Sequence, residues 1–277
     1  MRYLIYIIFP LIFWSCEQTV YDNPDYQLVF SEEFRGESID ESVWNFEIGT
    51  GCQYGANLDG WGNFENQYYL SENASIVDNE YLQIEAKEDT VYFTHCNGSF
   101  QTREYTSARL NTKNNFDFIY GKIEASIKTD LRQGIWHAFW MLPSFPTVSW
   151  PYSGELDILE LSYRDQNVFY AGTLHYSGAP IGESYDYSNN TSYFDDFHLY
   201  TLEWDRASIK WYVDDVLVNT ITRSSNATLD NNWPFDKEFH LILNSAVGGT
   251  LGGTPSFGGQ PQYMMVDYVK VYQKIID

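Results

Sequence analysis

Gly154-Glu155-Leu156-Asp157-Ile158-Leu159-Glu160-Leu161 sets three carboxylates inside one apolar run. The run predicts a strand able to bury both faces. Side chains alternate along a strand, so Glu155 and Asp157 share one face while Leu156 and Ile158 take the other. Glu160 lies three residues beyond Asp157 and would point away from them in a regular strand. One β-bulge returns it to the carboxylate face, and bulges are common beside functional sites.

Two other readings compete. Surface strands often carry acids on a solvated face, and three carboxylates also suit calcium or magnesium. Against the first, Trp136, Phe139, Trp140, Trp150 and Tyr152 crowd the approach, and like charges on neighbouring positions raise carboxyl pKa values, for which a solvated face has no use. Against the second, no further Asp, Asn or Gly cluster follows in sequence. Two carboxyls of different pKa suit hydrolysis of a glycosidic bond: one stays ionised as nucleophile, and the other keeps a proton for the leaving oxygen. Strand rise puts the Glu155 and Glu160 backbones about 13 Å apart. Side chains leaning inward over Asp157 could reach the roughly 5 Å separation that retention requires.

The run G-E-L-D-I-L-E resembles the signature of glycoside hydrolase family 16, in the bulged E-x-D-x-x-E form of its laminarinase-like members. Other segments agree in order and spacing: Trp61–Tyr69, Tyr105–Leu110, Tyr120–Ala125, Gln133–Pro143, Thr173–His175, Leu241–Gly249 and Val266–Tyr272. The match covers nearly everything after about residue 26. The resemblance implies Glu155 as nucleophile, Glu160 as general acid/base, and Asp157 as the residue that holds Glu155 and helps keep Glu160 protonated. It implies sugar contacts from Trp136 and Trp140, which line the subsites just before the cleaved bond, and from Asn63, Arg109 and His175. Trp150, which flanks the acid strand, joins them because sugar rings present apolar C–H faces that stack on indole. Three positions depart from the family pattern. His137 stands where Pro is usual, Ser245 where Leu is usual, and Thr250-Leu251-Gly252-Gly253 follows Gly249 where many relatives place another tryptophan. The resemblance further implies a structural calcium held by Glu33, the carbonyl near Glu80 and Asp267, although Glu80 stands where the family usually has Gly. No cofactor is expected for catalysis.

Composition is consistent with this. The chain has 277 residues, room for one large all-β domain. Aromatic residues make up 18%, with 9 Trp and 23 Tyr, which suits a long ring-stacking groove. A net charge of -22 argues against nucleic acid or an anionic membrane surface as partner. It also argues mildly against heavily sulfated polysaccharides, whereas a neutral polymer such as β-glucan meets no repulsion.

Arg2 precedes an apolar stretch, Tyr3 to Trp14, too short to span a bilayer and suited to a signal peptide. Ser15-Cys16 then resembles a bacterial lipoprotein box. Residues 1–15 are expected to be removed, Cys16 to carry lipid, and 16–26 to form a tether. The chain is thus expected to leave the cytoplasm for the cell envelope, or to be secreted if cleavage occurs nearby. Cys52 and Cys96 remain, and an exported chain with two cysteines invites a disulfide, although spacing does not establish proximity.

Short β-rich segments alternate with Gly, Asn, Asp and Ser turns at Leu82–Ala86, Ile119–Lys128, Leu199–Trp204, Ile209–Val213, Phe239–Leu243 and Met265–Tyr272. No long stretch has helical period, which predicts an all-β sandwich. The resemblance sharpens this to a β-jelly roll over 27–277, two curved antiparallel sheets with a concave substrate cleft. Its expected activity is retaining endo-hydrolysis of β-1,3 bonds in laminarin-like or mixed-linkage glucan, by a monomer. Alternatives are an enzyme for agar or carrageenan, a wall-building transglycosylase, and a surface glycan-binding protein without activity. The last would be expected to have lost a carboxylate, and all three are present.

Overall fold

The computed structural model describes residues 25–164, 167–176, 180–186, 194–223 and 233–275. The signal segment and Cys16 lie outside the described residues. Tyr26–Glu32 forms β1, and Tyr26 already pairs with Lys274, so the last residue of the expected tether belongs to a sheet. The remaining strands are β2 (Asn45–Phe46), β3 (Gln67–Tyr69), β4 (Ala74–Val77), β5 (Tyr81–Thr94), β6 (Phe100–Ser107), β7 (Arg109–Asn111), β8 (Gly121–Thr129), β9 (Ile135–Pro143), β10 (Glu155–Arg164), β11 (Asn167–His175), β12 (Pro180–Asp186), β13 (His198–Trp204), β14 (Ser208–Val213), β15 (Val216–Thr222), β16 (Phe239–Val247) and β17 (Gln262–Lys274).

Two sheets stack as a β-jelly-roll sandwich. One runs β15-β14-β13-β8-β17-β5-β6-β3, with β1 on β17 and β4 on β5; the other runs β12-β11-β10-β9-β16-β7-β2. The second sheet carries the acids and is called here the cleft sheet. Alternation assigns its faces. Along β9, His137, Phe139 and Met141 point into the sandwich, while Trp136, Ala138 and Trp140 point out. Leu156, Ile158, Leu159 and Leu161 of β10 join the inter-sheet core with Trp204, Trp211, Phe235 and Phe239. Burying each such aliphatic side chain contributes about 1.5–3 kcal/mol.

Ile158 and Leu159 are consecutive and both lie in the core, which a regular strand does not permit. The register explains it. Against β9, Asp157 pairs with Trp140 but Leu159 pairs with Phe139, so one residue of β10 is extra; the pairing with β11 slips at the same place. The Asp157 carbonyl at this bulge is served by the opposite sheet: the indole Nε1 of Trp211, on β14, donates to it at 2.7 Å through the core. Gly172 of β11 makes room for that ring, since a Cβ there would stand 2.8 Å from it.

The two substituted motif positions meet in the core. His137 pairs with Ser245 across β9 and β16, both fully buried, and His137 Nδ1 lies 2.8 Å from the Ser245 hydroxyl. The other ring nitrogen, Nε2, lies 2.9 Å from the Asp130 carbonyl. A carbonyl only accepts, so Nε2 carries the proton and Nδ1 accepts from Ser245. Burial pushes the His137 pKa down to about 4, which keeps the ring neutral.

Trp211→Phe deletes the indole donor while keeping an aromatic ring. It is expected to cost at least about 1–3 kcal/mol for the orphaned Asp157 carbonyl, read from urea unfolding midpoints. A loss below about 0.5 kcal/mol would show that the bulge does not depend on this bond.

Candidate active site

The bulge places Glu155, Asp157 and Glu160 on the outer face of β10, where Asp157 pairs with Trp140 and Glu160 with Ala138. Gly154, with φ of 92°, makes the turn that leads into them, and a Cβ there would meet Pro234 at 2.9 Å. Glu155 accepts a hydrogen bond from Trp150 Nε1 at 2.8 Å. His175, opposite Glu155 on β11, sets its Nε2 3.2 Å from Asp157 Oδ2 and 3.7 Å from Glu155 Oε1. The side chain of Asp157 is only 2% exposed.

All three carboxyls are pushed above their ordinary pKa values. Burial raises Glu155 to about 8 with help from the Asp157 charge, partly offset by His175, Trp150 and Arg109. Burial raises Asp157 too, offset by its hydrogen bond with Glu155. Glu160 is raised well above the usual range by burial and then by the charges of Asp157 and Glu155. Three negative charges therefore do not coexist here near neutrality. The first settles best on Glu155, which has the Trp150 N–H and lies near His175. A hydrogen bond with Glu155 lowers the proton affinity of Asp157, while burial and both neighbouring charges favour a proton on Glu160. One face can thus hold a carboxylate beside a protonated carboxyl.

A polar wall continues beyond the acids. Trp140 Nε1 donates to Asn244 Oδ1 at 2.7 Å, Asn244 Nδ2 donates to Tyr69 Oη at 3.0 Å, and Tyr69 donates to Glu65 Oε2 at 3.2 Å. Glu65 is buried and also accepts from Gln67 at 2.5 Å and from Asn63 at 3.3 Å. The Arg109 guanidinium lies between two indoles, 4.4 Å from the Trp61 ring centroid and 4.8 Å from that of Trp140, with its Nε donating to Glu47. Burial alone would raise Glu47, but the Arg109 charge together with hydrogen bonds from Arg109, Asn111 and Tyr54 holds the carboxyl below its usual range. Stacked guanidinium and paired carboxylate lock the Trp140 plane.

The structure thus brings together Glu155, Asp157, Glu160, Trp150 and His175, and one strand away Trp136 and Trp140. Arg109 and Asn63 belong to the same wall, with Asn63 bound to Glu65. Sequence reading assigned no role to Glu47, Glu65, Tyr69 or Asn244. Glu65 and Tyr69 sit inside the Trp61–Tyr69 motif and Asn244 inside Leu241–Gly249, so position was the available signal; for Glu47 there was none. Cys52 and Cys96 are disulfide-bonded with Cα atoms 6.0 Å apart, tying the loop before Trp61 to the β5–β6 hairpin. Arg103 adds an ion pair to Asp59 at 3.1 Å across the same junction.

Among the described residues two clusters have metal-ligand spacing. Cys52, Asp59 and His95 form one, but the Cys52 sulfur is spent in the disulfide. Glu155, Asp157 and His175 form the other, their donor atoms within 4.8 Å of one another. The donors expected to hold calcium are brought near one another but do not fit it. Arg35 Nη1 donates to the Glu80 carbonyl at 3.1 Å, Arg35 Nη2 lies 3.3 Å from Asp267 Oδ1, and Glu33 pairs with Lys270 at 2.8 Å. Two side-chain cations engage the set that a calcium ion would need.

Residues 66–270 match Glycosyl hydrolases family 16. This chain belongs to that family. It is 34% identical over 260 residues to glucan endo-1,3-beta-glucosidase A1 of Niallia circulans, covering 89% of this chain but only 38% of that protein. Over 268 residues it is 35% identical to a beta-glucanase of Rhodothermus marinus, covering 90% of this chain and 86% of that one. In structure it is similar to the catalytic domain of an endo-1,3-beta-glucanase (laminarinase) from Thermotoga petrophila RKU-1, with a TM-score of 0.81 and 41% identity, covering 91% of this chain and 99% of that chain.

Two outcomes are expected. Asp157→Asn removes a like charge beside Glu160, so the Glu160 titration should move to lower pH, read by carboxyl 13C NMR; an unmoved Glu160 would mean that the Asp157 charge does not help to raise it. Millimolar EDTA should leave the thermal midpoint unchanged, whereas a bound structural calcium would make it fall.

Proposed function

We infer that this chain is a retaining endo-glycosidase that cuts internal β-1,3-glucosidic bonds of laminarin-like glucans, with mixed-linkage β-glucan as a second substrate. The observation that carries this is the bulged strand with three carboxylates on one face, Asp157 buried and Glu155 and Glu160 half-buried, set against Trp136, Trp140 and Trp150. The relatives support the substrate class, since those compared are named as β-glucanases or endo-1,3-β-glucosidases.

The ionised Glu155 attacks the anomeric carbon while Glu160 gives its proton to the leaving oxygen, forming a covalent glycosyl-enzyme. Glu160, now ionised, takes a proton from water, which attacks the same carbon and releases Glu155. Departure of the proton from Glu160 becomes easier once Glu155 is esterified and no longer negative, because the Glu155 charge is one cause of the raised Glu160 pKa. Asp157 supports both stages by holding Glu155 through their hydrogen bond. Trp136 and Trp140 offer apolar faces to sugar rings, and Arg109, Asn63 and His175 offer polar atoms to hydroxyls.

The same reading places the enzyme outside the cytoplasm, as a monomer anchored to the cell envelope through a lipid on Cys16. The Tyr3–Trp14 apolar segment followed by Ser15-Cys16 supports this. Among the described residues no helix is long and apolar enough to cross a membrane. An excess of 38 acidic over 16 basic residues favours a neutral polymer over a sulfated one.

Reducing-sugar release should be largest from laminarin, smaller from mixed-linkage glucan, and absent from agarose and carrageenan. Glu155→Ser should lower kcat by at least about 10⁴-fold while leaving laminarin binding intact. Full activity in that variant would refute the nucleophile, and release from carrageenan alone would refute the substrate.

A further inference from the structure

Phe64 is the most exposed large apolar side chain among the described residues, at 81%, and its φ is 60°. Left-handed backbone is costly for a bulky residue, and an exposed ring recovers nothing by burial. Its neighbours impose the conformation. The Glu65 amide donates to the Gly60 carbonyl at 3.0 Å, the Asn63 carbonyl accepts from the Thr250 amide at 3.0 Å, and the Asn66 amide donates to the Val247 carbonyl at 2.8 Å. Trp61 has a similar φ of 55°, but its ring is held against Arg109. Among the described residues the Phe64 ring stacks on no other aromatic. A residue kept strained and unpacked in a segment fixed on both sides points to a use outside the fold.

The location says which use. At Gly249, just after β16, an added Cβ would lie 3.0 Å from the Asn63 carbonyl oxygen, 3.3 Å from Glu65 Cγ and 3.5 Å from the Trp136 ring. The Phe64 loop therefore adjoins the Trp136 wall of the cleft. β16 is two strands from β10, about 10 Å at ordinary strand spacing, and the loop lies beyond it. We propose that Phe64 is a sugar-stacking platform at the cleft rim, binding a glucosyl unit of a neutral β-glucan chain beyond those next to the acids. The proposal rests on the glucanase reading and adds a subsite to it. An exposed ring offers a flat apolar face to the C–H face of a pyranose without any charge, which suits an uncharged polymer.

The test compares long and short ligands. Asn tolerates left-handed backbone, so Phe64→Asn removes the ring and keeps the loop; Phe64→Tyr keeps the ring. In an otherwise native enzyme, Phe64→Asn should lower kcat/KM for laminarihexaose about tenfold, mostly through KM, and leave laminaritriose within twofold. Phe64→Tyr should restore the native value, and the thermal midpoint of Phe64→Asn should not fall. In the Glu155→Ser background, calorimetry should show the same length-dependent loss of affinity without hydrolysis. Equal effects on both ligands, or none, would overturn the platform while leaving the glucanase reading intact. If Glu155→Ser with Phe64 present binds neither oligosaccharide, the glucanase reading fails and the platform with it.

Discussion

A strand of strict alternation would drive Glu160 into the space between the sheets, among Leu156, Ile158 and Trp211. One extra residue at Ile158 prevents this, at the cost of a slipped register on both sides of β10. The indole of Trp211 donates to the Asp157 carbonyl from the opposite sheet. That bond couples the two layers of the sandwich at the point where the acid face is made. It works only because Gly172 leaves a gap the size of a ring edge. The geometry of the acids is therefore a property of the whole sandwich rather than of β10.

Charge is arranged with equal economy. A chain with 38 acidic residues could scatter them on solvated faces, yet three stand in a water-poor wall where ionising one resists ionising the next. The indole N–H of Trp150 and the His175 ring favour one site for the first charge. Farther along the wall the opposite choice is made: Arg109 is buried as a cation, paired with Glu47 and stacked between Trp61 and Trp140. A buried guanidinium without Glu47 would be costly, and Trp140 without the stack and Asn244 would be free to turn. Strength of pairing on one side of the cleft gives rigidity, and weakness of pairing on the other gives protons that can move.

Much of this was legible in the chain. Alternation in Glu155–Leu161 indicated which face carries the acids, and the three-residue step to Glu160 indicated the bulge. The turn-punctuated strands indicated a sandwich. Less legible were residues whose meaning depends on a distant partner. His137 and Ser245 each read as a departure from the family pattern. In the structure they are one feature, a buried neutral pair that ties β9, β16 and the Asp130 carbonyl together. Glu33, Glu80 and Asp267 read as calcium ligands, but Arg35 and Lys270 reach those oxygens instead. Nothing in the local order Glu33-Phe34-Arg35 indicates that the guanidinium turns back toward the last strand.

The sequence by itself determined the strand periods, the order of the acids, the aromatic richness of the cleft and the excess of negative charge. Each of these follows from residues near one another in the chain, where alternation and turn chemistry apply directly. Tertiary structure alone decided the proton affinities and the partners. Asp157 meets Trp211 across 54 residues, Asn244 meets Tyr69 across 175, and Phe64 is strained by bonds to segments near Gly60 and Thr250. Burial and pairing are sums over such neighbours, and no local pattern encodes a sum over the whole fold.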